Sequence, residues 1–139
     1  MADIRRIDAE QTLPIRHAVL WPHKPLDYCR VAEDAQGEHW GAFVDGQLVC
    51  VASLFADEQG GMRLRKFATL TSMQGQGIGS ALLAQLLVQL RQRGVKRFWC
   101  DARRSACNLY AKFGLQVEGE GWVREDVEFV RMSIVFESA

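Results

Sequence analysis

Apolar positions recur with two different periods along this chain, and each change of period marks an element. Residues 62–69 alternate, with Met62, Leu64, Lys66 and Ala68 on one side, as a half-buried strand does. From residue 78 the period becomes four. Ile78, Leu82, Leu86 and Leu90 form a stripe with Leu83 and Leu87 beside it, while Gln85, Gln89 and Gln92 lie off it, so residues 80–93 read as an amphipathic helix. Gly94 stands where a left-handed residue ends a helix, and Arg91 and Arg93 suit the negative end of its dipole. Residues 95–100 form a short apolar run, a buried strand. A crossover helix of this length sets it parallel to 62–69, with a right-handed connection.

Upstream, Ile4 and Ile7 mark a first strand, and Asp8 is placed to cap a helix over 9–20 whose Pro14 falls early. The run Trp21-Pro22-His23-Lys24-Pro25 breaks it, and 26–31 reads as a second short helix. Residues 39–44 and 48–55 flank Asp45-Gly46, a strong hairpin signal, and 57–61 turns the chain into 62–69. Downstream, 104–113 is a short helix ended by Gly114. Residues 115–118 make a short strand, Gly119-Glu120-Gly121 a turn, and 127–136 a last alternating strand. The fold class expected is a mixed α/β sheet, antiparallel in its first half, with one parallel pair, flanked by helices. No repeat or linker interrupts it, so residues 1–139 are expected to form one domain.

Charge narrows the partners. Seventeen basic and 17 acidic residues give a formal net charge of zero, against the basic excess of a nucleic-acid footprint. No window approaches a membrane span, and the N-terminal residues lack a signal peptide's apolar core. Cys29, Cys50, Cys100 and Cys107 lack Cys-x-x-Cys spacing and read as reduced packing thiols of a cytoplasmic protein, with no metal site.

The chemistry starts between the strand and the long helix, at Gln74, Gly75, Gln76, Gly77, Ile78 and Gly79. Three glycines in six residues suit neither helix nor strand. At a helix N-terminus such a loop offers unpaired N–H groups to an anion, and the helix dipole favours negative charge there, so the expected guest is phosphorylated. A P-loop needs Gly-Lys-Ser/Thr, and Gly79-Ser80 has no lysine. A dinucleotide fingerprint would use Gly75 and Gly77, with Asp101 at the next strand end. That loop, however, should begin at the strand's end and belong to several βαβ repeats, and one crossover is present.

The spacing Gln-x-x-Gly-x-Gly at Gln74, Gly77 and Gly79 resembles the acyl-CoA loop of the Gcn5-related N-acetyltransferase (GNAT) family. Downstream, Asn108, Tyr110 and Lys112-Phe113-Gly114-Leu115 resemble that family's segment of Asn, then Tyr, then Lys-x-Gly-Phe, with Leu115 in place of Phe. The resemblance is specific over 67–115. It implies a parallel strand pair that splays around the pantetheine arm of acetyl-CoA. Phe67, Ala68 and Thr69 would offer backbone groups to the pantetheine amides, as in β-augmentation. The amides of Gln74 to Gly79 would hold the pyrophosphate, Asn108 would reach pantetheine carbonyls, and Lys112 could meet the 3′-phosphate. Tyr110 would be the general acid that meets the leaving thiolate.

The strand 62–69 carries no acid. Asp34, Glu38 and His39 are therefore the candidate bases, and Trp21, His23, Tyr28, Trp40, Trp122 and Phe129 the aromatic candidates for an acceptor site. The implied function is transfer of an acetyl group from acetyl-CoA to a primary amine of a small molecule or an exposed peptide or protein amine. The partners are acetyl-CoA and the acceptor, with a homodimer left open and neither nucleic acid nor membrane. The alternatives are a non-catalytic acyl-CoA-binding module and a nucleotide-binding regulatory domain.

Overall fold

A computed structural model describes residues 2–136. Seven strands form one sheet in the order β1-β2-β3-β4-β5-β7-β6: β1 (Asp3–Ile7), β2 (Glu38–Val44), β3 (Gln47–Ala56), β4 (Gly61–Thr69), β5 (Arg97–Arg103), β6 (Gln116–Arg124) and β7 (Val127–Val135). Three α-helices accompany them: α1 (Ala9–Ile15), α2 (Ile78–Gln92) and α3 (Cys107–Lys112). The pair β4–β5 is parallel, whereas β1–β2, β2–β3, β5–β7 and β6–β7 are antiparallel. Among the described residues no helix is long and apolar enough to cross a membrane.

The chain divides into two compact units. One comprises Met1–Phe55 and Arg65–Leu86, the other Ala56–Leu64 and Leu87–Ala139.

In the first unit Asp8 caps α1 through a full capping box: its carboxylate accepts from the Gln11 N–H at 2.9 Å, and the Gln11 side chain accepts from the Asp8 N–H at 2.9 Å. The helix expected over 9–20 is α-helical only to Ile15, and Arg16–Leu20 continues it as a π-helical turn. Pro14 has no N–H to give to the carbonyl four residues back, which removes one rung of the α ladder just before the change. The helix expected over 26–31 shrinks to a 3-10 turn, Leu26–Cys29, bounded by Pro25 and an extended Arg30. Asp45 and Gly46 make the predicted hairpin turn with φ of 51° and 80°, both left-handed as a type I′ turn requires. Ile15, Val51 and Ala68 pack together in the core, with Ile7, Leu48 and Leu70 against them.

In the second unit the parallel register runs from Gly61↔Arg97 to Leu64↔Cys100 and stops there. The rest of β4 belongs to the first unit, and there Lys66, expected within the regular alternation, instead has φ of 56° and is only half-buried. A left-handed lysine inside a strand breaks the pleat, so the alternation holds for Met62, Leu64 and Ala68 and fails at Lys66. Phe98, Cys100, Ala102, Val130 and Met132 are buried along β5 and β7.

The turn expected at Gly119-Glu120-Gly121 is not a turn. β6 runs through it with a register irregularity between Glu118 and Trp122, and Gly119 has φ of 67°. The chain reverses later, at Glu125 and Asp126, which hold φ of 51° and 64° without a glycine.

Candidate active site

The glycine loop is anchored at both ends and open between them. Before it, β4 remains laddered to β3 through Leu70 N–H to the Val49 carbonyl at 2.9 Å, and the Gln74 side-chain amide donates to the Thr69 carbonyl at 3.0 Å. After it, Ile78 is buried in the first turn of α2. Gln74, Gly75, Gln76 and Gly77 between these anchors are exposed. Gly75 and Gly77 hold φ of 79° and 80°, and a Cβ on either would meet nothing within 4 Å, so the backbone faces open space. Gly79 differs: a Cβ there would lie 3.3 Å from both Phe67 Cζ and Thr69 Oγ1, so its hydrogen lets α2 close against the end of β4.

The Gly77 carbonyl takes the first helical bond, from Ala81 N–H at 3.0 Å. The N–H groups of Ile78, Gly79 and Ser80 therefore have no acceptor within the helix, and a glycine at the cap position supplies no side chain to satisfy them. Arg91 and the left-handed Gly94 close the other end of α2. Thr69 Oγ1 donates to Cys50 Sγ at 3.2 Å, Ala68 is buried, and Phe67 is half-buried.

Tyr110 lies on α3 in the second unit and is buried. Its hydroxyl is hydrogen-bonded to the Cys100 thiol of β5. Burial raises the phenol well above the ordinary tyrosine value, and the neighbouring Cys100 adds to the effect, so the hydroxyl stays protonated. Burial likewise pushes the Cys100 thiol up to about 12. Asn108 and Lys112 are exposed on the same short helix.

The candidate bases fall in a different setting. Asp34 receives Arg16 as a fork, Nη1 to Oδ2 at 2.9 Å and Nη2 to Oδ1 at 3.0 Å, and also the Val31 N–H at 2.9 Å. Arg16 is fully buried and further donates to the Cys29 carbonyl and to Ser53 Oγ. Ser53 Oγ in turn meets His39 Nδ1 at 2.7 Å, and His39 Nε2 lies 2.9 Å from the Asp34 carbonyl oxygen. Asp34 and His39 are thus brought together in an internal brace. Glu38 stands apart from it, 3.6 Å from Arg6. Burial raises the Asp34 carboxyl, but the Arg16 and Val31 hydrogen bonds outweigh it and leave the group below the ordinary carboxylate value.

The aromatic candidates fall into pairs. In the first unit Trp21 meets Tyr28 edge-on at 5.3 Å, with Lys24 over the Tyr28 ring; Trp40 is buried and His23 exposed. In the second, Trp122 stacks on Phe129 at 6.1 Å.

A cluster on the second unit escaped the sequence reading. Trp99 of β5 is flanked by Arg63, Arg97 and Arg131, and Asp101 accepts from both Arg63 and Arg131. The signal was available in the alternation of residues 97–103, which puts Arg97, Trp99, Asp101 and Arg103 on the face opposite Phe98 and Cys100.

The class of protein to which this fold belongs follows from comparison with known proteins. A sequence model of the Acetyltransferase (GNAT) family matches residues 1–115. The chain is 37% identical over 128 residues to the Bacillus subtilis protein named uncharacterized N-acetyltransferase YitI, covering 86% of each. The fold matches the crystal structure of the ribosomal-protein-S18-alanine N-acetyltransferase from Escherichia coli with a TM-score of 0.81, 18% identity, and coverage of 100% of this chain and 96% of that one. It also matches a GNAT family acetyltransferase from Elizabethkingia anophelis with acetyl-CoA bound, at a TM-score of 0.75, 16% identity, and coverage of 97% and 98%.

The chain belongs to the GNAT acetyltransferase family. It is an acetyl-CoA-dependent acyltransferase, and the non-catalytic and nucleotide-regulatory alternatives give way to that assignment.

Proposed function

We propose that the two units act as one domain, residues 1–139, that transfers the acetyl group of acetyl-CoA to a primary amine of a small molecule or an exposed peptide or protein. The observation that carries this is the anchored loop whose Gly75 and Gly77 leave the backbone open to a ligand. In this assignment the amides of Gln74, Gly75, Gln76, Gly77, Ile78 and Gly79 hold the pyrophosphate. Backbone groups of Phe67, Ala68 and Thr69 hold the pantetheine amides, and Asn108 is assigned to the pantetheine carbonyls. The acceptor nitrogen attacks the thioester carbonyl carbon, the C–S bond breaks, and the sulfur leaves with the Tyr110 proton while the amine proton passes to solvent. A phenol kept neutral by burial supports that role. Four free thiols support a cytoplasmic setting.

Gly77→Val tests the loop assignment. Valine at φ of 80° is strained, and its branches would stand where the anion approaches the backbone. Acetyl-CoA affinity should fall about ten- to a hundredfold by isothermal titration, about 1.4–2.8 kcal/mol. Unchanged affinity in a folded variant would remove the loop from the phosphate site. Screening product formation from acetyl-CoA with small amines, amino acids, polyamines and peptides tests the reaction itself.

A further inference from the structure

The order of residues along β4 also orders the ligand. With the pyrophosphate on the amides of 74–79 and the pantetheine amides on 67–69, an arm laid along the strand carries its thioester past Phe67, to Lys66. There the strand leaves its pleat, with Lys66 at φ of 56°. The side chains that meet Lys66 within the first unit are therefore those an acceptor passes on its way to the thioester.

Two aromatic rings stand there. Lys66 Nζ lies 5.9 Å from the centre of the Trp21 ring, Trp21 meets Tyr28 edge-on at 5.3 Å, and Lys24 Nζ lies 5.0 Å from the centre of the Tyr28 ring. These side chains are not core. Tyr28 is 47% exposed, Leu26 two residues before it is 43% exposed, and Trp21 is half-buried. Their backbone, by contrast, is tied down. The Lys24 N–H donates to the Trp21 carbonyl at 3.1 Å, the Tyr28 N–H to the Pro25 carbonyl at 3.0 Å, and the buried Arg16 guanidinium to the Cys29 carbonyl at 3.0 Å. Large apolar side chains held in solvent on a fixed backbone make a preorganised wall for a guest.

Charge narrows the guest. Residues 21–36 carry three carboxylates, and an arginine takes each of them. Arg30 takes Asp27 at 3.0 Å, Arg65 takes Glu33 at 3.7 Å, and Arg16 takes Asp34 at 2.9 Å. The charges that stand on the rings belong to lysines. Such a wall offers apolar contact to a ring on the acceptor and repels a second ammonium.

We propose that Trp21, Leu26 and Tyr28 receive the side group of the acceptor, so that the substrate is a small monoamine carrying an aromatic group and polyamines are rejected. This rests on the amine acetyltransferase assignment above.

The test uses the full chain at saturating acetyl-CoA, with acetylated product measured by chromatography. The probes are matched acceptors: 2-phenylethylamine against ethylamine for the ring, and hexylamine against 1,6-diaminohexane for the second charge. The aromatic amine should be preferred about ten- to a hundredfold in kcat/KM, the worth of taking most of a phenyl ring out of water. Hexylamine should be preferred to the diamine about tenfold. Tyr28→Ala should collapse the aromatic preference through KM, with acetyl-CoA affinity by titration within about threefold of the wild type, and Tyr28→Phe should keep the preference. Lys24→Glu, on an exposed side chain, should move the choice between hexylamine and 1,6-diaminohexane toward the diamine. It provides a second variant should Tyr28→Ala fail to fold.

A selectivity within about threefold between 2-phenylethylamine and ethylamine would overturn the aromatic assignment. So would a full aromatic preference in folded Tyr28→Ala, a wild-type preference for the diamine, or acetylation of peptide amines only; these leave the acetyltransferase assignment standing. Tight acetyl-CoA binding with no transfer to any amine, peptides included, would instead overturn the amine reaction and this proposal with it.

Discussion

Tyr110→Phe should lower kcat and kcat/KM together by about 10²–10⁴-fold, the usual worth of a positioned general acid, and leave acetyl-CoA affinity within about threefold. The substitution keeps the ring that fills the core beneath β5 and removes only the hydroxyl that reaches Cys100. The pH profile adds a second readout. Burial holds the phenol protonated beyond the ordinary tyrosine value, so the acid form persists as pH rises and wild-type kcat should show no fall from its ionisation up to about pH 10. The competing account makes amine attack rate-limiting, with water able to protonate the thiolate. Steady-state kinetics on the best acceptor separates the two: activity within threefold of wild type would take Tyr110 out of the mechanism.

The second large effect is on stability. Asp34→Ala strands the fully buried Arg16 guanidinium, and breaking a buried pair by removing one partner costs about 3–5 kcal/mol. A domain is worth about 5–15 kcal/mol in total, so this variant should be close to unfolding in urea titrations. Replacing both partners with apolar residues, Arg16→Met with Asp34→Leu, should recover most of the loss. The pH dependence has a fixed sign. A carboxylate held below its ordinary value contributes stability that is complete above the unfolded-state value and lost as pH falls through the folded-state one. The gap between wild type and Asp34→Ala should therefore narrow in acid. A gap that is constant with pH, or below about 1 kcal/mol, would show that Asp34 is not held by its charge.

Much of the fold was legible because its signals are local. The Asp8 cap, the Asp45-Gly46 turn, the left-handed Gly94 and the apolar stripe of α2 each follow from a few neighbouring residues. The Gly119-Gly121 pair misled because glycine marks permissive backbone without saying whether a turn or a bulge will use it. Pairing of β6 with β7 decided for a bulge and forced Glu125 and Asp126 to turn instead. Lys66 gave no local warning, since lysine rarely takes a positive φ. Of the candidate site, the loop and Tyr110 were visible as spacing. The Arg16 brace and the Trp99 cluster were not, because they rest on pairs distant in sequence, such as Arg16 with Asp34, 18 positions apart, and Trp99 with Asp57, 42 positions apart. Only the sheet order brings such residues into contact.

The irregularity in β6 also bears on how molecules of this chain behave in a crowd. β6 ends the sheet, so among the described residues no strand pairs with its outer edge, and Val117, Trp122 and Val123 are exposed along it. A flat edge with such side chains is a template on which another chain can add itself. The bulge between Glu118 and Trp122, centred on a left-handed Gly119, bends that edge out of register with any straight strand. Glu118, Glu120 and Arg124 add charges that a stacked copy would have to bring against their own kind. The misplaced turn of the sequence reading thus serves as a guard against self-templated aggregation.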